Sequence, residues 1–170
     1  MIFLGLLTAA VFAVANPADA QDSMFPPSDF EFHYEARRCT KTEFDTRAGT
    51  YTRVESNIGG PPVAIPLSLG PNQTALVYRE IVKIGFFDYQ PDFKRVAPLP
   101  GGATALSAVS TAYRMEVRMR GEIHTVVYDD SEVPRSEEAK RLLGLFRLID
   151  GFLEDRPEVR RLPPIRYPCE

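Results

Sequence analysis

Histidine and cysteine are scarce in this chain, two of each in 170 residues, and that scarcity narrows the chemistry at the outset. A zinc site draws three or four ligands from a small set of side chains. With Cys39 and Cys169 better used as a disulfide, His33 and His124 are too few to build one, and no metal or cofactor is expected. Nucleophilic catalysis finds no support either. There is no G-x-S-x-G, no cysteine in a reactive context, and no histidine or lysine beside Ser68 or Ser110 in sequence. No glycine-rich phosphate cradle follows a strand, since Gly101-Gly102 sits in a proline-bounded loop. The spaced ligands and glycine of a calcium loop are missing around Asp129, Asp130 and Glu132, which read as a solvated turn. Basic charge is not in excess: the net charge is -3, which argues against nucleic acid as the main partner. After residue 20 no apolar run is long enough to span a membrane.

What is present begins with an address. Residues 2–14 are almost continuously apolar, and Ala18-Asp19-Ala20 fits a small-residue cleavage site. Residues 1–20 therefore read as a signal peptide and not a membrane anchor, the apolar run being too short to span comfortably. No lysine or arginine precedes that run, so either the start codon is misplaced or the amino terminus supplies the only positive charge. Cleavage would leave Gln21 first, a linker over residues 21–28 with Pro26 and Pro27, and one domain over 29–170. The expected location is periplasmic or secreted, with no stable membrane insertion after cleavage. In an oxidising compartment two cysteines suggest one bridge. A Cys39–Cys169 disulfide would tie the proline-rich tail to the first strand.

Two periodicities organise the rest. Tyr113, Met115, Val117 and Met119 alternate with Arg114, Glu116, Arg118 and Arg120, so one sheet face is apolar and the other charged. Gly121 supplies a turn, and Ile123, Val126, Val127 and Tyr128 begin the return strand. With a two-residue turn His124 falls opposite Val117 on the covered face; with three residues it faces out. Phe30, Phe32, Tyr34 and Ala36 give an earlier strand, Gly49 closes a turn, and residues 50–55 should pair back. A first helix opens near Asn72, carries Leu76, Val77, Ile81 and Ile84, and stops at Gly85. A second is capped by Ser136 and carries Ala139, Leu142, Leu143, Phe146, Ile149, Phe152 and Leu153 at helical spacing, ending at Pro157. Phe146 and Ile149 are expected in the core against Met115 and Val117. The fold class is α+β: an antiparallel sheet with two helices on one face, the order strand-strand-helix being used twice.

Between the first helix and the hairpin lies an aromatic run, Phe86-Phe87-Asp88-Tyr89, then Phe93 and a proline-rich stretch to residue 108. Phe86 and Phe87 both read as core plugs, with a contact role open for Phe87. Phe87, Tyr89 and Phe93 are the binding candidates, because aromatics anchor protein interfaces and prolines limit a loop's freedom. Residues 76–153 resemble, in layout, a group of secreted bacterial domains. The matching pieces are Tyr78-Arg79-Glu80-Ile81, Phe86-Phe87-Asp88-Tyr89, the hairpin with His124-Thr125-Val126, Pro157-Glu158-Val159 and Leu162-Pro163 before Cys169. The middle of this pattern is also similar to emfourin-like inhibitors of thermolysin-like metalloproteases. Leader, cysteine pair and first hairpin depart from that pattern, and no inhibitory residues carry over. The members of that group have no assigned function; the expectation for this chain is a secreted, non-enzymatic domain that binds a protein or a surface component. The competing expectations are a small hydrolase or metal-dependent enzyme, which needs His33 or His124 to meet a carboxylate in a cleft, and a carrier of an apolar ligand between sheet and helices.

Overall fold

The computed structural model describes residues 25–38, 40–55, 61–93, 111–129 and 136–164. In chain order they form β1 (Glu31–Arg37), β2 (Thr40–Asp45), β3 (Thr50–Glu55), β4 (Val63–Pro66), α1 (Pro71–Ile84), a 3-10 turn (Phe86–Asp88), β5 (Asp92–Phe93), β6 (Ala112–Met119), β7 (Glu122–Asp129), α2 (Glu137–Glu154) and α3 (Pro157–Arg160). The strands make one sheet in the order β4-β3-β2-β1-β6-β7-β5. Neighbours run antiparallel except β5 with β7, which is parallel. The fold is thus α+β, but four strands precede α1, so the expected doubling of strand-strand-helix is corrected. Residues 1–24, Cys39, residues 94–110 and Cys169 lie outside the described residues, and the expected cleavage site and disulfide with them.

β6 and β7 form as their alternation dictates. Arg120 and Gly121 both take positive φ, 55° and 77°, the pattern of a two-residue type I′ hairpin turn. The Gly121 amide donates to Asp29 Oδ2 at 2.7 Å, tying the turn to the chain entering β1. Register then follows: Val117 stands opposite His124, Met115 opposite Val126 and Tyr113 opposite Tyr128. β1 extends the same face, with Phe32 opposite Val117 and Tyr34 opposite Met115.

The early strands depart from expectation. The return partner of β1 is β2, not residues 50–55, and β3 pairs with β2. β2 carries one large apolar residue, Phe44, among threonines and charges, so its period of two is faint. Its turn into β3 behaves as its residues suggest: Asp45 Oδ1 accepts from the amides of Arg47 and Ala48 at 2.8 and 2.9 Å, and Gly49 takes φ 62°. β4 is an edge strand containing Pro66, a position where a missing amide donor is tolerated.

The cap of α1 lies two residues earlier than Asn72. Gly70 is the N-cap, Pro71 holds the first helical position, and Gln73 Oε1 accepts from the Gly70 amide at 3.0 Å. Its last turn closes on Gly85 in the left-handed region. α2 starts as expected, with Ser136 Oγ accepting from the Ala139 amide at 3.1 Å. Pro157 opens α3 rather than simply ending α2.

One core joins sheet and helices. It includes Phe32, Tyr34, Phe44, Met115, Val117 and Val126 from the strands, Val77, Ile81 and Ile84 from α1, and Leu142, Leu145, Phe146 and Ile149 from α2. Phe146 stacks on Tyr113 at 4.7 Å between ring centres and also meets Tyr34 and Tyr128. Leu145, absent from the expected stripe, is fully buried, while Leu143 and Phe152 are only partly so. On α1, Tyr78 is buried against Phe30 whereas Leu76 is exposed. The opposite sheet face carries charge: Lys41 pairs with Glu35 and Glu43, and Arg118 with Glu31.

Candidate functional site

Gly85 turns the chain sharply out of α1, and this turn positions the aromatic run. A left-handed residue is needed there, and a β-carbon would sit 2.9 Å from Asp88 Oδ2. The 3-10 turn that follows sends Phe86 inward, where it is fully buried, and leaves Phe87 half-buried. Both rings meet His124, Phe86 edge-on at 5.7 Å and Phe87 tilted at 5.8 Å. His124 therefore lies on the covered face, as a two-residue turn requires. Its Nε2 hydrogen-bonds the Tyr89 carbonyl at 2.9 Å.

Tyr89 is fastened at both ends. Its hydroxyl donates to the Glu138 carbonyl at 3.1 Å, so the residue links the α1 exit to the first turn of α2. Burial pushes the phenol above its usual pKa. Phe93 packs on Tyr89 at 5.7 Å and stacks on Tyr128 at 6.1 Å. The Val127 amide donates to the Pro91 carbonyl, and this bond holds β5 in place at the sheet edge.

Together these elements wall an open cleft of about 470 Å3 at one end of the helix pair. Ile84, Tyr89 and Phe93 supply apolar and aromatic wall, while Asp88, Asp92, Glu138 and Arg141 supply charge. The three binding candidates thus separate. Tyr89 and Phe93 line the cleft, but Tyr89 is buried and tied by hydrogen bonds, not a free anchor. Phe87 does not line it and packs on His124 instead.

His33 stands apart from this site. It lies on the charged face of β1 with Asp45 and Glu116 as its cross-strand neighbours. Among the described residues no group of three or more histidine, cysteine, aspartate or glutamate side chains is arranged to hold a metal ion. Neither histidine lines the cleft.

A second polar cluster escaped the sequence reasoning. Tyr34, fully buried in the central strand, donates its hydroxyl hydrogen to Asp150 Oδ1 of α2 at 2.7 Å. Burial is the main cause that raises the Asp150 carboxyl to about 6; the Tyr34 bond opposes the rise and the Glu154 charge adds to it. Burial, with the Asp150 charge, drives the Tyr34 phenol far above its ordinary range. Tyr51 of β3 is raised as well, by burial first. A signal was there to be seen: Asp150 sits four residues after Phe146, in the buried stripe of α2, where a carboxylate is costly without a partner. No family model matches this chain, and no curated protein matches it significantly.

Proposed function

We propose that the chain is an exported, non-catalytic domain that binds a protein segment in the cleft between the α1 exit and the α2 start. The observation that carries this reading is the cleft wall. Tyr89 is fixed through its carbonyl by His124 and through its hydroxyl by Glu138, and Phe93 is stacked behind it. A wall already ordered loses little conformational entropy when a partner docks. The charged rim, with Asp88, Asp92, Glu138 and Arg141, favours a polar peptide segment over an apolar carried ligand. The resemblance of the middle of the chain to emfourin-like inhibitors makes a thermolysin-like metalloprotease the first partner class to try.

Site-specific photocrosslinking tests this. A crosslinker at exposed Gln90, beside the cleft, should capture the partner, whereas one at exposed Ile123 on the opposite sheet face should not. Phe93→Ala should weaken capture from Gln90. Capture only from Ile123, or capture from Gln90 unaffected by Phe93→Ala in a folded variant, would place the working surface elsewhere.

A further inference from the structure

We propose that Asp150 is a proton-operated tie between α2 and the sheet: its neutral carboxyl seats the second half of α2 on β1 and β3, and its carboxylate loosens that half. The geometry comes first. Asp150 projects from α2 toward the central strand, and Tyr34 meets it with a single hydroxyl donor at 2.7 Å. Tyr34 is fully buried and its ring packs against the stacked Tyr113 and Phe146 rings. Asp150 is itself only partly buried, and a half-buried carboxylate against a core usually has a cation or several amide donors. Among the described residues Asp150 has no ion-pair partner.

The groups that face it from each neighbouring element deepen the imbalance. β1 presents Tyr34, and β3 presents Tyr51, whose phenol feels the Asp150 and Glu154 charges. Behind Tyr34, β6 presents Tyr113. Its own helix presents Glu154, one turn further on, a second negative charge. The cation of β3 in this region, Arg53, acts on Tyr51 and donates to the Pro163 carbonyl. Ionising Asp150 therefore places a charge under a helix with one donor to receive it and a like charge beside it. Water drawn to that carboxylate would enter between α2 and β3.

The sign follows from the raised carboxyl. Its folded-state pKa, about 6, lies above the ordinary 3.8. Native packing thus binds the proton more tightly than the opened state does, and the tie is strongest below the ordinary pKa. It weakens as pH rises through about 6.

Two measurements on the purified protein test the tie. An NMR titration of the Asp150 carboxyl carbon should show a midpoint near 6, and Glu154→Gln should lower it. Amide exchange in the second half of α2, corrected for intrinsic rates, should be roughly tenfold faster at pH 7.5 than at pH 5 if the opened carboxyl regains its ordinary pKa. Asp150→Asn keeps an acceptor for Tyr34 and cannot ionise, so its exchange should be equal at the two pH values. A midpoint at or below about 4.5 would overturn the proposal, as would a wild-type pH dependence that survives in Asp150→Asn. If Asp150→Asn does not fold, the titration and the Glu154→Gln shift decide alone.

Discussion

The two hairpins of the sheet, β6–β7 and β2–β3, are built to different specifications. β6–β7 turns through two residues of positive φ and buries Tyr113, Met115, Val117, Val126 and Tyr128. β2–β3 turns through an aspartate-capped loop and buries only Phe44 and Tyr51. The difference lies in ring packing and not in cover. Phe146 of α2 packs directly on Tyr113 and Tyr128, whereas Phe44 and Tyr51 are as well buried but Phe44 meets the Phe32 ring alone among the described residues. Further along β3, Arg53 donates to the Pro163 carbonyl of the tail. Alternation is strong where every inward position is apolar and faint in β2, where threonines share that face with Phe44.

The sharpest way to break this comparison is a pair of truncations. Phe146→Ala should cost about 3–5 kcal/mol in denaturant melts, as expected for a fully buried ring with three aromatic neighbours. Phe44→Ala should cost about 1 kcal/mol less, because Phe44, although just as buried, meets one ring among the described residues, Phe32, and not three. Equal losses would mean that the extra ring contacts of Phe146 add nothing beyond burial. Next in size is Gly85→Ala, which forces a β-carbon into a left-handed residue and toward Asp88 Oδ2. A loss of about 1–2 kcal/mol is expected, together with a shifted Phe86–His124 contact visible in the His124 ring resonances. Ser136→Ala removes the α2 cap and should cost about 1 kcal/mol. Arg53→Ala, at an exposed contact, should stay within about 0.5 kcal/mol; a larger loss would show that the tail is a structural cover for β3.

What was legible in the sequence tracks the same contrast. The β6–β7 alternation and most of the α2 stripe could be read because each is local and strongly periodic. The face taken by His124 hung on one fact, the turn length, which Arg120 and Gly121 settle. β2 has a faint signature because Phe44 is its one large apolar residue, so residues 50–55 read as the return partner of β1 when their partner is β2. β5 has no local signal at all, since its parallel pairing depends on β7 more than thirty residues later. The candidate site was half legible: the aromatic run was singled out, but whether Tyr89 points out or in depends on Glu138, 49 residues away. Asp150 has no local signature, because it sits beside an apolar stripe and its partner, Tyr34, lies 116 residues away in sequence.

The central place of β1 also orders the assembly of the chain in time. β1 pairs on one side with β2, which follows within a few residues, and on the other with β6, whose partner residues begin at Ala112. The first four strands can zip together from short-range contacts, but the other edge of β1 waits for the second half of the chain. Loop closure over that distance is slow compared with hairpin formation. Until β6 arrives, β1 presents seven residues of unpaired backbone with Phe32 and Tyr34 uncovered, the kind of edge that recruits other chains. A chain stopped before Ala112 should therefore aggregate through β1, and one crossing a membrane unfolded would need that edge shielded until translocation is complete.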